Sequence, residues 1–539
     1  MRTNSLVNAP GGEKARKTGG SLTRRAFLLL LLLICFRGMT VSGAENADRQ
    51  NLVFYEIFTG SFSDSNGDGI GDLPGILNRL DYLNDGKEAS ETSLGIQGIW
   101  LTPVFSSPSY HKYDVADYLT IDSQFGSMED LRNLIEACQA RGIRLILDLP
   151  LNHTSSTHPW FRKFLSARTL HNDRSEYYDY YICHETGSLP AGHSCYAIPG
   201  TDFWYEANFS RNMPELNYDN EAVRREILEI ARFYLEMGVD GFRFDAAKYI
   251  YYGDHGRSSA FWDWYTGELR ALCPDIWLVA EVWDGDAVTD LYFPAMNCFD
   301  FTVSQPGGLI AETAAGGDVN RYTAYVEQYL ERIHGLRESA SLVPFISNHD
   351  MDRAAGYLPD SNGRIRMAAN LYILGPGAPF IYYGEEIGLR GSRGGANTDA
   401  NRRLAMRWGD GDTVSDPEGA DYTKQTDATV ASMMEQSYSL LHYYRRLIDI
   451  RNQHPEIAGG IYRALNLKDT KAGGFIAGED STVLVLHNPA GKAVTLNLAE
   501  QNLQEYQVLS AQIGMGFAAL EGNILTLDGQ TSAVLRRAE

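Results

Sequence analysis

Cysteine is scarce in this chain, six in 539 residues, and no Cys-x-x-Cys spacing occurs. Cys138, Cys273 and Cys298 therefore read as buried thiols and not as a metal set. Cys183 and Cys195, twelve apart in a stretch rich in Tyr, Gly and His, are the pair expected to be able to bridge in an oxidising compartment. Long apolar runs are also missing: Phe27–Phe36 spans ten residues, too few to cross a bilayer. Positive charge is in deficit. The formal net charge is −22, and since residues 1–44 carry +6, the remainder stands at −28. Such a surface repels nucleic acid and anionic lipid and suits a neutral ligand such as a sugar. No long polar low-complexity tract is present, and 44% hydrophobic residues are enough for a large core.

Basic residues do gather at the start. Arg24-Arg25 precede Phe27–Phe36, and Ser42-Gly43-Ala44 offers a small-residue cleavage site. This is the layout of an export signal over 1–44, so the mature protein is expected to be secreted or periplasmic, with no membrane span. Thr23-Arg24-Arg25-Ala26-Phe27-Leu28 also resembles a twin-arginine signal, and the export route stays open. Past it, strand-like and helix-like runs alternate through residues 50–455, the pattern of a parallel sheet with crossover helices. Strands are expected at Leu52–Ile57, Gly98–Leu101, Arg144–Leu149, Gly241–Asp245, Trp277–Val282, Cys298–Val303, Leu342–Ser347 and Pro379–Tyr383.

Eight such strands in a chain of this length predict a (β/α)8 TIM barrel with accessory modules. The barrel is expected over 45–151 and 218–456, closed by the amphipathic helix Leu440–Asn452. Residues 152–217, too long for a βα loop, read as a small domain inserted after strand three. Segments such as Thr482–His487 and Ala493–Leu498, with Gly, Asn and Asp turns, predict a C-terminal antiparallel β-sandwich over 457–539.

Four apolar runs end on acidic residues. In Gly241-Phe242-Arg243-Phe244-Asp245 the period of two puts Arg243 and Asp245 on one side of the strand, so the guanidinium can keep the carboxylate ionised and aimed. Leu145-Ile146-Leu147-Asp148 leads into Asn152-His153, Leu278-Val279-Ala280 into Glu281, and Phe345-Ile346-Ser347 into Asn348-His349-Asp350. One carboxylate after a strand is ordinarily a turn or cap residue. Four together predict one polar site at the mouth of a parallel barrel.

These segments carry a resemblance. Asp148-x-x-x-Asn152-His153, Gly241-x-Arg243-x-Asp245-x-x-Lys248, Glu281-Val282-Trp283 and Phe345-x-x-Asn348-His349-Asp350 resemble, in order, the four signature segments of the α-amylase family, glycoside hydrolase family 13. The resemblance runs from about Tyr55 to Tyr383-Gly384-Glu385-Glu386. It implies a retaining glycoside hydrolase, with Asp245 as nucleophile, Glu281 as general acid/base and Asp350 as the third carboxylate. It further implies Tyr113 stacking on the sugar, His153, Arg243 and His349 as site groups, and Lys248 on the leaving-group side, with Tyr249 where a histidine is usual. Arg403 matches a family arginine in Arg403-Leu404-Ala405-Met406-Arg407-Trp408, with Arg402 adjacent to it.

Asp64-Ser65-Asn66-Gly67-Asp68-Gly69-Ile70-Gly71-Asp72 has oxygen-bearing residues at alternate positions and a glycine at the sixth, like the start of an EF-hand loop. Gly75 stands where the twelfth-position glutamate would be. The resemblance implies a calcium site here, with Asp64, Asn66, Asp68, the Ile70 carbonyl and Asp72 as ligands, and a second calcium at Asn152. Met213-Pro214-Glu215-Leu216-Asn217 is intermediate between the oligo-1,6-glucosidase and neopullulanase forms of a further signature. The expected function is an exported α-amylase, a monomer acting on α-1,4-glucans or maltooligosaccharides. The alternatives are an α-glucosidase or oligo-1,6-glucosidase, a transglycosylating or isomerising relative, and a non-catalytic binding homologue, which would lack the nucleophile or the acid.

Overall fold

The computed structural model describes residues 51–538 apart from 88–89, 394–398 and 469. The expected export signal lies outside the described residues. One parallel sheet holds seven strands: β1 (Phe54–Ile57), β2 (Gly98–Leu101), β3 (Arg144–Leu149), β4 (Gly241–Phe244), β5 (Trp277–Ala280), β6 (Asn297–Cys298) and β7 (Phe380–Tyr382). Their spatial order is β6-β5-β4-β3-β2-β1-β7. Residues 342–347 close the gap through the parallel bridges Phe299↔Val343 and Phe345↔Phe380. The result is an eight-membered barrel.

Two expected strands are reduced for identifiable reasons. Pro344 sits in the middle of 342–347 and has no N–H to donate. That segment joins its neighbours through carbonyls, with Leu342 accepting from the Ala378 N–H at 2.8 Å, Val343 from Asp300 at 3.1 Å and Pro344 from Phe380 at 2.9 Å. β6 stops short of Val303 because the Asp300 carboxylate takes the Thr302 N–H at 3.0 Å, a local turn that competes with extension.

Alternation along the strands makes two cores. Phe54, Trp100, Ile146, Val279, Phe345 and Phe380 fill the barrel interior. Tyr55, Ile99, Leu145, Phe242 and Leu278 face outward into the layer shared with the helices. The helix before β4, Glu221–Met237, starts at Asn220, whose side chain accepts the Ala222 N–H, and ends at Gly238 with φ 105°. Gly241 opens β4 because nothing larger fits: a Cβ there would lie 1.8 Å from the Trp277 carbonyl oxygen. The close approach of β4 to β5 therefore depends on that glycine.

Between β3 and β4, residues 152–217 contain the helix Pro159–Thr169 and a three-stranded antiparallel sheet, with Phe203–Glu206 between Cys183–Glu185 and Cys195–Ala197. Cys183 lies opposite Tyr205 and Cys195 opposite Glu206, so the cysteines sit on the two outer strands and on opposite faces. Outer strands separated by a third stand about 9.6 Å apart, beyond the reach of about 7 Å that a disulfide allows between Cα atoms. Both are free thiols, which corrects the expectation that they could bridge. C-terminally, a five-stranded and a three-stranded antiparallel sheet enclose Leu484, Leu486, Leu525, Leu527 and Leu535. No described helix is long and apolar enough to cross a membrane.

Candidate active site

The register between β4 and β5 pairs Phe244 with Ala280. The next residue on each strand is an acid, so Asp245 and Glu281 emerge side by side at the barrel's C-terminal edge. The chain then turns sharply, with Ala246 at φ 48°, a costly conformation for a residue with a Cβ. That turn sends the Ala246 N–H to Glu281 Oε2 at 3.2 Å. One register step earlier, Asp148 of β3 pairs with Arg243, which places Asp148 a layer deeper in the barrel.

Arg243 ties the three acids together. Its Nη1 donates to both oxygens of Asp148 at 2.9 Å and to Asp245 Oδ1 at 2.7 Å, and its Nη2 donates to Glu281 Oε2 at 2.6 Å. The guanidinium is 1% exposed, so these contacts are little screened. Burial pushes the Glu281 carboxyl up, Arg243 pulls it down, and Asp245 and Asp350 add to the rise, leaving it at about 7. Asp245 is also raised by burial, against the pull of Arg243. Burial is the largest cause of the Glu281 rise, ahead of the neighbouring acids.

Across the mouth, Asp350 Oδ1 accepts from Arg403 Nη2 at 2.7 Å, and Asp350 Oδ2 lies 3.2 Å from His349 Nε2. Although burial opposes ionisation, His349 and Arg403 hold Asp350 well below the ordinary carboxylate value. His349 Nδ1 is 2.6 Å from Glu56 Oε1. Burial works against its charged form, yet Asp350 and Glu56 outweigh it and raise it to about 10. Tyr113 stacks on the His349 ring at 5.4 Å and donates to Asp148 Oδ2 at 2.9 Å. Arg403 is the arginine facing the site, since Arg402 turns instead to Asp352 at 2.9 Å.

These groups line a cleft of about 630 Å³ whose walls include Tyr113, His153, Asp245, Lys248, Glu281, Asp350 and Arg403. Arg243 and His349 lie beneath them. His153 is buried with no partner for Nε2, and burial lowers it to about 4, so it meets the cleft as a neutral ring. Lys248 Nζ is held by the Trp283 carbonyl at 2.7 Å and Asp284 Oδ2 at 2.9 Å.

Residues 56–460 match the family model described as the α-amylase catalytic domain. The chain belongs to the α-amylase family. It is 34% identical over 472 residues to alpha-amylase 3 of Dictyoglomus thermophilum, covering 86% of this chain and 90% of that one. It is 29% identical over 496 residues to the oligo-1,6-glucosidase of Parageobacillus thermoglucosidasius, covering 76% and 84%. Its structure resembles that of Eubacterium rectale Amy13B with a TM-score of 0.83, at 32% identity over 91% of this chain and 96% of that one. It is accordingly a glycoside hydrolase of this family.

Some site residues of this family member escape sequence reasoning. Glu56, the partner of His349, shows only as a lone acid in the apolar run Phe54-Tyr55-Glu56-Ile57, and that oddity is the one available signal. Phe209 and Met213 from the insert, with Tyr249 and Trp283, complete the cleft wall. Trp283 is 41% exposed and stacked on Phe301 at 4.9 Å, a rigid aromatic face of the kind that meets a pyranose. Asp148 is fully buried and off the cleft wall, serving as the counter-ion of Arg243.

The Asp64–Asp72 loop lies away from these carboxylates. Asp64 Oδ1 accepts the Asn66 and Gly67 N–H groups at 3.0 and 2.8 Å, and Asp68 Oδ1 accepts that of Ile70 at 2.8 Å. Gly67 and Gly69 take φ 84° and 90°, which curls the loop around its own oxygens. The donor set is all hard oxygen, the chemistry that fits calcium. Asp72 has a second duty: its Oδ1 caps the helix Leu73–Asn78 through the Gly75 N–H at 2.6 Å. Ser415 donates to the Gly69 carbonyl at 2.8 Å and Thr413 to Asp64 Oδ2 at 2.6 Å, fastening the loop to a later segment. Asn152 is buried with its Oδ1 unpartnered, as is Oε2 of Glu215.

Proposed function

We propose that this chain is an exported, retaining α-amylase that cleaves internal α-1,4 bonds of glucans and releases maltooligosaccharides. The observation that carries this reading is the single guanidinium of Arg243 bonded to Asp245 at 2.7 Å and to Glu281 at 2.6 Å. Sharing one guanidinium favours the close spacing of about 5–5.5 Å that a retaining pair uses over the wider gap an inverting water needs. Asp245 attacks the anomeric carbon while Glu281, protonated up to about pH 7, gives its proton to the leaving oxygen. Once the leaving sugar departs, the Glu281 carboxylate takes a proton from water, and that water releases the glycosyl group from Asp245.

Asp350, held anionic, presents an acceptor to the sugar hydroxyls, and His349, held cationic beneath the cleft, fixes that carboxylate through Nε2. Tyr113 stacks on the sugar beside the scissile bond. Lys248 and the insert's Phe209 and Met213 line the acceptor side. Calcium would be held by Asp64, Asn66, Asp68, the Ile70 carbonyl and Asp72, and would supply local rigidity, not chemistry.

A product profile tests the reading. Soluble starch is expected to yield a ladder of maltooligosaccharides, with much slower release of glucose from maltose or isomaltose. Glucose as the sole early product, with rapid isomaltose cleavage, would replace this reading with an oligo-1,6-glucosidase, the activity named for one relative.

A further inference from the structure

The inserted sheet carries a cluster that the glycosidase reading leaves unused. Glu206 lies in the central strand and is 2% exposed. His184 Nε2 is 2.9 Å from its Oε2, and His193 Nδ1 is 2.6 Å from its Oε1. Cys195 pairs with Glu206 across the sheet, and its Sγ, His184 nitrogen and Glu206 oxygen all lie within 4.8 Å of one another. Three donors of three kinds thus converge from three strands, and His193 meets Glu206 from the loop between the outer strands.

We infer that His184, His193, Cys195 and Glu206 form a binding site for a divalent transition metal ion of the zinc class. Two imidazoles, a thiolate and a carboxylate make a four-coordinate zinc set, with bonds of about 2.0–2.3 Å. Around such an ion, ligand atoms stand about 3.3–3.8 Å apart, so His184, Cys195 and Glu206, all within 4.8 Å of one another, need only small side-chain adjustments, and His193 would complete the set by a shift of its own loop. The thiol and imidazoles suit zinc or cobalt and not calcium, which takes oxygen ligands. Binding releases the Cys195 thiol proton to solvent and forms the metal–sulfur bond. Asn208 already supports the set from outside, donating through Nδ2 to Glu206 Oε1 at 2.7 Å, as outer partners of metal-bound carboxylates do.

His193 belongs to the connection between the two outer strands, with Gly187 and Gly192 at φ 94° and 86°. An ion would pin that connection to the sheet. The His193 ring also packs edge-on against Tyr252 at 4.8 Å, and Tyr252 stacks on the cleft residue Tyr249 at 5.6 Å. The site is therefore a brace for the acceptor-side wall of the cleft.

Cobalt(II) titration of the metal-stripped mature protein tests this directly. One equivalent is expected to bind with an intense thiolate-to-cobalt charge-transfer band and to be displaced by zinc. Cys195→Ser should abolish the band, and His193→Ala should weaken zinc binding by about 100-fold or more. Cys195→Ser should retain starch hydrolysis, because Cys195 lines no part of the cleft. Should Cys195→Ser fold poorly, His193→Ala carries the test through its affinity alone. A band that survives Cys195→Ser overturns the site, as does zinc affinity equal in His193→Ala and the unaltered protein. Either result would reduce the cluster to histidine–glutamate ion pairs.

Discussion

Arg243 serves three carboxyl groups at once, so neutralising one acid still leaves the guanidinium two anionic partners. In the proposed mechanism the chemistry divides between two of the three. Asp245→Asn and Glu281→Gln are each expected to lower kcat by several orders of magnitude without lowering Tm appreciably, as for residues acting in a covalent mechanism. Either folded variant keeping more than a few per cent of activity would remove that residue from the assignment. The pH profile carries the same logic with a definite sign. Glu281 works as an acid only when protonated, and burial holds it near 7. kcat/KM should fall with an apparent pKa of about 7 as pH rises, about tenfold per unit beyond it. An alkaline limb lying about two units higher would show that another group limits the reaction.

The short elements explain both what the sequence discloses and what it hides. Asp245, Glu281 and Asp350 are legible because each ends an apolar run of barrel type. The demotion of 342–347 is legible in principle from Pro344, whose missing N–H forbids a full ladder. Cys183 and Cys195 mislead because twelve residues of separation say nothing of the strand Phe203–Glu206 that folds between them. The arrangement of Glu56, His349 and Asp350 joins residues 293 or more apart in the chain and needs the closed barrel to exist. The Asp64–Asp72 loop makes its own prediction. Calcium bound to the native state alone adds RT ln(1 + [L]/Kd), about 2.7 kcal/mol at a hundred times Kd. Chelation should therefore lower Tm, and Asp68→Ala should remove most of that sensitivity. A melting curve indifferent to chelator would exclude the loop as a stabilising cation site.

The whole molecule presents an acidic exterior around a cleft whose floor belongs to the barrel and whose side belongs to residues 152–217. A neutral polymer approaches such a surface without electrostatic steering, so on the proposed reading recognition rests on the cleft-lining Tyr113, Tyr249, Trp283 and Asp350. Everything proposed for the reaction rests on two carboxyl groups sharing one guanidinium and exchanging a sugar through a covalent bond to Asp245. The anomeric configuration of the first product reads this out. Proton NMR of maltooligosaccharide cleavage, recorded before mutarotation equilibrates the sugar, should show the α-anomer accumulating first and the β-anomer appearing only later. Initial formation of the β-anomer would mean a single inverting displacement and would contradict the account.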